Sequence, residues 1–233
     1  MSRNESQTID SVLNEIKVYP PTKKFSDQAT IKSMAQYEEI YRYSMQQPEQ
    51  FWANIASELH WMQAWKKVLT WQEPYAKWFE AGKTNLSYNC LDRHLEHYAE
   101  KTALIWQGEP EEKRQFTYKE LHQAVCQFAN GLKKLGVKKG DCITLYMPLI
   151  PELIIAVLAS ARLGCIHNVV FGGYSVQALD TRIQDSKSKF VITADGGYRR
   201  GKIIPLKQVM DEALLSCPLV EKVIIYQRTH AEI

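Results

Sequence analysis

From residue 102 onward, short apolar runs alternate with longer stretches in which apolar side chains recur every three or four positions. Runs of the first kind predict buried strands, and the longer stretches predict helices that cover them. The predicted strands span residues 102–106, 142–147, 166–170, 190–194 and 223–226. The predicted helices span residues 117–136, 151–164, 175–186 and 205–215. This alternation predicts an α/β fold with a mostly parallel sheet and helices on both faces.

Local signals mark where several of these helices begin and end. Thr117 and Glu120 have the spacing of a capping box, in which side-chain oxygens accept hydrogen bonds from free backbone N–H groups. Gly136 follows two lysines and is typical of the residue just beyond a helix C-terminus. Pro151 is favoured in the first turn of a helix, and Gly164 just after the end of one.

The first 84 residues carry a different pattern. Residues 9–16 and 33–46 have helical spacing, and Pro48 begins another helical stretch, whereas Tyr19-Pro20-Pro21 predicts an extended segment. Tryptophans crowd residues 51–80, at positions 52, 61, 65, 71 and 78. They fit a surface that stacks sugars or bases, but aromatic packing is the commoner role. We therefore predict an irregular, helical N-terminal arm over residues 1–84, packed on an α/β body over residues 85–233.

Composition narrows the classes of partner. The chain has 233 residues, and 45% of them are hydrophobic, as in ordinary globular proteins. Its net charge of +3 is too small to favour nucleic acid or an anionic membrane as a partner. The most apolar stretch, residues 153–161, is too short to span a bilayer, and no apolar signal core follows the N-terminus.

Cysteine and histidine usage indicates neither disulfides nor a metal site. The five cysteines are scattered without C-x-x-C spacing, which favours reduced thiols in a cytoplasmic protein. Cys90, His94 and His97 recur at i, i+4 and i+7 on a helix predicted over residues 89–98, a spacing that can gather zinc ligands. No fourth ligand lies nearby in sequence, so we interpret them as ordinary helix-face residues.

Two stretches share one pattern, an apolar run that ends at a pair of glycines. The first covers residues 169–175 and ends in Ser175, a favourable helix N-cap. The second covers residues 192–202, and its last four positions hold three cations and a glycine. Strand ends beside glycine-rich turns are where open α/β sheets bind ligands, and such cations suit phosphate. A solvated turn without a ligand is the alternative, and residue types alone leave both open.

Motifs spread along the chain carry a resemblance. They are Tyr19-Pro20-Pro21, Phe51-Trp52, Lys77-Trp78-Phe79, residues 88–94 (YNCLDRH), Thr117-Tyr118, Lys139-Gly140-Asp141, Tyr146-Met147-Pro148, residues 169–175 (VVFGGYS) and residues 192–195 (ITAD). In this order and spacing they resemble the N-terminal part of the acetyl-CoA synthetases, which belong to the adenylate-forming acyl-CoA ligase superfamily. The resemblance implies that acetate and ATP, with Mg²⁺, form acetyl-adenylate and pyrophosphate. The thiol of CoA then displaces AMP to give acetyl-CoA.

The resemblance also implies a coenzyme A site. The family's Arg-x-Gly-Arg/Lys segment, which helps bind the nucleotide end of CoA, matches Arg199-Arg200-Gly201-Lys202. Arg199 is the strongest candidate and Lys202 the next, whereas Arg200 occupies the variable position. Phe171, Gly172 and Gly173 are expected to shape the same wall, although the two glycines could equally serve only the backbone turn.

Other family parts are expected beyond residue 233: the phosphate loop, the acetate pocket, the aspartate that holds the ATP ribose, the hinge, and the mobile domain with its catalytic lysine. We therefore expect an N-terminal fragment with an incomplete sheet, without catalytic residues and inactive alone. Open sheet edges would also invite self-association.

Two alternatives stay open. One is a fragment of a propionate–CoA ligase, which differs only in acid specificity, although Tyr19-Pro20-Pro21 and the Phe-Gly-Gly-Tyr-Ser form favour acetate. The other is a non-catalytic module that binds CoA or a protein partner.

Overall fold

The computed structural model describes residues 19–231, so the helix predicted over residues 9–16 lies outside the described part. The chain divides into two compact units, Met1–Ser57 and Glu58–Ile233. The predicted boundary between arm and body, at residues 84 and 85, lies within the second unit and stays a prediction.

The described part of the first unit is helical. It contains α1 (Lys23–Gln28), α2 (Met34–Gln46) and α3 (Pro48–Ser57). The hydroxyl of Ser33 caps α2 by accepting a hydrogen bond from the Gln36 N–H at 3.2 Å. The rings of Tyr43 and Phe51 meet edge to face, with their centroids 5.7 Å apart, and join α2 to α3. The two longer helices are confirmed, and the short α1 was not predicted.

The second unit begins with an antiparallel hairpin that the sequence pattern did not reveal. Its strands are β1 (Lys67–Gln72) and β2 (Tyr75–Glu80). The rings of Trp61, Trp65 and Phe79 pack together, with centroid distances of 4.9, 5.3 and 5.4 Å. Two of the five tryptophans thus pack on each other and on Phe79.

The continuous helix predicted over residues 89–98 is wrong. Two short helices, α4 (Leu86–Cys90) and α5 (Leu95–Tyr98), flank a 3-10 turn at Asp92–His94. The helix breaks at Leu91, whose φ and ψ are −124° and −66° and whose side chain is buried. Next to it, Asp92 accepts two hydrogen bonds from Arg162, both at 2.7 Å. In residues 19–231 no three potential metal ligands are grouped as a metal ion would require.

An antiparallel pair and a long helix follow. The pair consists of β3 (Thr102–Gln107) and β4 (Lys113–Thr117), and the helix is α6 (Tyr118–Lys134). The predicted capping box is confirmed, because the Thr117 hydroxyl accepts from the Glu120 N–H at 3.2 Å and the Glu120 carboxylate accepts from the Thr117 N–H at 2.8 Å. Beyond α6, Gly136 has a φ of +98°, as expected for a residue after a helix end.

The remaining elements build the predicted parallel sheet. In chain order they are β5 (Cys142–Met147), α7 (Pro151–Leu163), β6 (Ile166–Phe171), α8 (Val176–Asp185), β7 (Phe190–Ala194), β8 (Gly197–Arg199), β9 (Lys202–Ile204), α9 (Leu206–Leu214) and β10 (Lys222–Tyr226). Four strands lie side by side in the order β10, β7, β5, β6, and all neighbours are parallel. The short strands β8 and β9 pair with each other as a separate hairpin.

Each face of the sheet has its own apolar core, which confirms the α/β prediction. Ile143 and Leu145 of β5 point to a core that includes side chains of α6 and α7. Tyr146, the next residue along β5, points to a second core built with α8 and α9. This is the alternation of a strand covered on both sides. The buried Thr144 hydroxyl hydrogen bonds with that of Ser188 at 2.7 Å.

The sheet topology determines where a ligand site can form. From β5 the chain runs through α7 to the edge strand β6, then returns through α8 to β7 on the other side of β5. The strand order therefore reverses at β5. Open α/β sheets bind ligands beyond the carboxyl ends of their strands at such a reversal.

Substitution by alanine should change stability in opposite directions at a glycine that ends a helix and at one inside a helix. Gly164 ends α7 with a φ of +72°, and an added Cβ would lie 3.0 Å from Cγ of Lys139. Gly164→Ala should therefore destabilise the fold by about 1–2 kcal/mol. Gly131 lies within α6, and a Cβ there meets no atom within 4 Å. Gly131→Ala should stabilise the helix by about 0.5–1 kcal/mol. Urea unfolding of both variants tests the pair, and a stabilising Gly164→Ala would contradict it.

Candidate functional site

A cleft of about 320 Å³ opens where β5, β6, β7 and β10 end. Each of these strands contributes residues that follow its last position, such as Pro148, Gly172, Gly197 and Arg228. The lining combines apolar, aromatic and cationic side chains with one carboxylate: Met147, Ile150, Leu206, Trp106, Phe171, Tyr198, Arg199, Arg228 and Glu109. The site predicted at the strand ends therefore coincides with a concave surface.

Arg199 and Phe171 form one wall of this cleft. The Arg199 guanidinium lies over the Phe171 ring, 5.2 Å from its centroid. Within residues 19–231, Arg199 makes this contact without a hydrogen bond or ion pair from its guanidinium. A planar cation held against an aromatic face keeps its N–H edge available to an anion.

Gly172 and Gly173 leave space for neighbouring side chains and do not provide an unusual backbone conformation. Neither glycine has a φ in the left-handed region. A Cβ on Gly173 would lie 2.6 Å from Cε1 of Phe171 and 2.7 Å from the Arg199 guanidinium nitrogen Nη1. A Cβ on Gly172 would lie 3.3 Å from Cδ2 of Leu206. Gly173 therefore makes room for the Arg199–Phe171 contact.

The stretch from Arg199 to Lys202 is a tight hairpin turn. Arg199 and Lys202 are paired at the ends of β8 and β9. The two residues between them, Arg200 and Gly201, have φ values of +51° and +70°. Two central residues with positive φ define a type I′ turn. The carboxylate of Glu109 accepts hydrogen bonds from the Arg200 N–H at 2.8 Å and the Gly201 N–H at 3.2 Å.

A second arginine, Arg228, also lines the cleft. Its guanidinium stacks between the rings of Trp106 and Tyr198, 5.4 and 4.9 Å from their centroids. It also donates two hydrogen bonds to the Glu112 carboxylate, one of them at 3.1 Å. The Trp106 indole N–H donates to the carbonyl of Leu149 at 2.7 Å. Because Arg228 is already paired, it holds the β3–β4 loop against the cleft.

Asp195, the residue after β7, organises the backbone below the cleft. Its carboxylate accepts from the N–H groups of Gly196 and Arg228 at 2.7 Å, of Thr229 at 3.0 Å and of Ala231 at 3.1 Å, and from the Thr229 hydroxyl at 3.0 Å. Burial raises the pKa of this carboxyl, but the hydrogen bonds outweigh burial, so its pKa lies below the ordinary aspartate value.

The structure brings together only part of the predicted set. Phe171, Gly172 and Arg199 line the cleft, and Gly173 lies behind the Arg199–Phe171 contact. Arg200, Gly201 and Lys202 lie at the exposed hairpin beside the cleft, outside its lining. The sequence motifs did not reveal Trp106, Glu109, Arg228 or the role of Asp195. The position of Asp195 between an apolar strand and a glycine pair was the one available signal.

Comparison with known proteins identifies the family. The family model described as "AMP-binding enzyme" matches residues 91–232. The chain belongs to the AMP-binding enzyme family. A second family model, described as "Acetyl-coenzyme A synthetase N-terminus", matches residues 37–90.

Individual relatives confirm the resemblance to the acetyl-CoA synthetases. The acetyl-coenzyme A synthetase of Chlorobaculum tepidum is 47% identical over 229 residues, which cover 98% of this chain and 35% of that protein. The acetyl-coenzyme A synthetase of Deinococcus radiodurans is 51% identical over 221 residues, which cover 94% of this chain and 34% of that protein. The chain therefore spans about a third of the length of these relatives.

A solved structure shows the same fold. Acetoacetyl-CoA synthetase from Streptomyces lividans superposes with a TM-score of 0.83 over 91% of this chain and 35% of its own chain, at 23% identity. Across residues 19–231, every helix is too short or too polar to cross a bilayer.

The Asp195 carboxylate should stabilise the fold in a pH-dependent way. Asp195→Asn puts an amide N–H₂ group where an oxygen accepts buried donors. Each donor left without a partner costs about 1–3 kcal/mol, so we expect a loss of about 2–4 kcal/mol at pH 7. The folded-state pKa is lowered, so the carboxylate's contribution is present above the ordinary aspartate pKa of about 3.9 and is lost as pH falls below it.

The measurement is denaturant unfolding of both proteins between pH 7 and pH 3. The difference in free energy of unfolding should shrink below about pH 4. Asp185→Asn, at the exposed end of α8, removes the same charge without these contacts and should change stability by less than about 0.5 kcal/mol. A pH-independent loss in Asp195→Asn would contradict the role of the charge.

Proposed function

We propose that this chain is the N-terminal part of an acetate–CoA ligase and that its cleft binds the nucleotide end of coenzyme A. One observation carries the proposal: Arg199 projects beside a cleft at the strand ends, held on Phe171, with no anion of the described residues on its guanidinium. A paired arginine would have to give up a partner to bind phosphate, whereas Arg199 would not.

The surrounding chemistry suits the same ligand. Aromatic and apolar side chains next to Arg199 fit a flat heterocycle, and the cation fits a phosphate attached to it. Lys202 lies on the neighbouring strand β9 as an exposed point charge. Coenzyme A offers a ribose 3′-phosphate and a pyrophosphate on one adenine nucleotide, which matches this combination of groups.

The proposed reaction of the whole protein has two steps. Acetate displaces pyrophosphate from ATP to form acetyl-adenylate, and the thiol sulfur of CoA then attacks the acetyl carbon and releases AMP. In this scheme Arg199 and Lys202 bind and orient the CoA nucleotide. We assign no residue of this chain to ATP, Mg²⁺ or the reacting atoms, since the groups that the family uses for them are expected outside these 233 residues.

The names of the relatives favour acetate over propionate, since both proteins cited above are acetyl-coenzyme A synthetases.

Cytoplasmic location stays a prediction, as does self-association. The second gains support from the edge strand β6, where Ile166 is 62% exposed and Val169 is 52% exposed.

Replacing Arg199 should weaken CoA binding selectively. In the full-length ligase, Arg199→Ala should raise the KM for CoA about tenfold, because a hydrogen bond to a charged group contributes about 1.5–3 kcal/mol. Acetate-dependent pyrophosphate exchange, which precedes CoA, should stay within about twofold of wild type. The KM for dephospho-CoA should rise less if Arg199 contacts the 3′-phosphate.

Arg42→Ala provides a control, because it removes an arginine from the exposed face of α2. It should leave both assays unchanged. If Arg199→Ala lowered pyrophosphate exchange as much as thioester formation, Arg199 would serve ATP or the fold, and the CoA assignment would be wrong.

The 233 residues alone should not catalyse the reaction. The adenylation step needs groups that bind the ATP phosphates and stabilise developing charge. The purified chain, incubated with acetate, ATP, magnesium and CoA, should release no AMP above a blank. AMP release that follows the chain through successive purification steps would show that the active site lies within it.

A further inference from the structure

The turn between β8 and β9 holds a residue that is unfavourable there. Type I′ turns prefer asparagine or glycine at both central positions, because other side chains crowd the backbone when φ is positive. Gly201 fits this preference, but Arg200, with a φ of +51°, does not. A turn of this kind needs support from elsewhere in the fold.

That support comes from Glu109, which is distant in sequence. Its carboxylate faces the turn and accepts one hydrogen bond on each oxygen, from Arg200 N–H at 2.8 Å and from Gly201 N–H at 3.2 Å. Hydrogen bonds to an ionised carboxylate are stronger than those between neutral groups. One side chain therefore holds both central residues of the turn.

The loop that carries Glu109 is itself anchored. The Gly108 N–H donates to the carbonyl of Glu112 at 2.8 Å and closes the loop between β3 and β4. The side chain of Glu112 is bonded to Arg228, which is held between Trp106 and Tyr198. Glu109 is thus presented to the turn from a loop with its own attachments.

The carboxylate of Glu109 lies among cations but bonds to the backbone of the turn. Three cations, Arg199, Arg200 and Lys202, surround the turn, yet the Glu109 carboxylate bonds to backbone N–H groups and to none of these side chains. It supplies an anion to the turn while leaving the cationic side chains available to a ligand.

We infer that Glu109 is a positioning residue, which holds the Arg200-Gly201 turn so that Arg199 and Lys202 face the phosphates of coenzyme A. This inference rests on the proposed function. The positioning role predicts that loss of the Glu109 charge changes the affinity for CoA in the direction opposite to the one that simple electrostatics gives. Removal of a negative charge beside three cations would ordinarily strengthen the binding of an anion. Removal of Glu109 should instead weaken it, because the turn loses its anchor.

The test compares the chain with its Glu109→Ala, Glu109→Gln and Glu111→Gln variants, labelled with ¹⁵N at glycine and arginine. Glu111 lies on the same loop, and its side chain makes no hydrogen bond or ion pair with the described residues. Glu111→Gln therefore removes the same charge without touching the turn. Two quantities are measured by NMR: amide hydrogen exchange at Gly201, and dissociation constants for CoA and dephospho-CoA from chemical-shift titrations.

In Glu109→Ala, Gly201 exchange should accelerate and CoA binding should weaken, each about tenfold. Glu109→Gln keeps one acceptor oxygen, so its Gly201 exchange rate and its dissociation constant for CoA should lie between those of Glu109→Ala and wild type. If Glu109→Ala does not fold, Glu109→Gln serves as the test variant. Glu111→Gln should leave Gly201 exchange unchanged and bind CoA at least as tightly as wild type.

Two results would overturn the inference in distinguishable ways. Unchanged Gly201 exchange in both Glu109 variants, or CoA binding as tight as in Glu111→Gln, would show that Glu109 does not anchor the turn. If wild type and Arg199→Ala bound CoA and dephospho-CoA equally, the proposed function would fail instead, and the turn would not serve CoA.

Discussion

The cleft depends on one buried carboxylate, that of Asp195. It gathers backbone donors from Gly196, which leads into β8, and from the segment after β10, represented by Arg228 and Ala231. These two segments carry the two arginines of the cleft, Arg199 and Arg228. One carboxylate therefore ties the segments of both arginines together, and its ionised form contributes this stabilisation above acidic pH.

The charged side chains around this cleft have two different roles, since some hold the structure and others are available to a ligand. Glu112 pairs with Arg228 and joins the β3–β4 loop to the cleft, whereas Glu109 bonds to the backbone of the Arg200-Gly201 turn. Arg199 leans on Phe171 instead of an acid. Among the described residues, Arg228 is therefore neutralised by Glu112, whereas Arg199 remains available in the lining of the cleft. Such selective pairing separates the groups that hold a site from the groups that bind a ligand.

The sequence predicted what local rules control and missed what distant contacts control. The strands β5, β6, β7 and β10 and the helix ends at Thr117 and Gly164 follow from apolar runs and short-range hydrogen bonds, and all are confirmed. The hairpin of β8 and β9 was not predicted. The cationic turn could be selected because it follows a strand end, and the match to the family's Arg-x-Gly-Arg/Lys segment singled out Arg199 within it. Glu109 could not, because its partners lie more than 90 residues away in the chain. The break at Leu91 was hidden for the same reason, since the side chain that departs from the helix is drawn into a core built by later elements.

Gly173 has an evolutionary consequence. Its missing side chain is the space in which Arg199 and Phe171 meet, and one methyl group there would collide with both. A lineage cannot acquire a side chain at position 173 while it keeps this arginine and this ring in place. The three positions therefore constrain one another during divergence, although they lie on two segments separated by a helix and a strand. A side chain at position 173 requires that the Arg199 guanidinium and the Phe171 ring move apart.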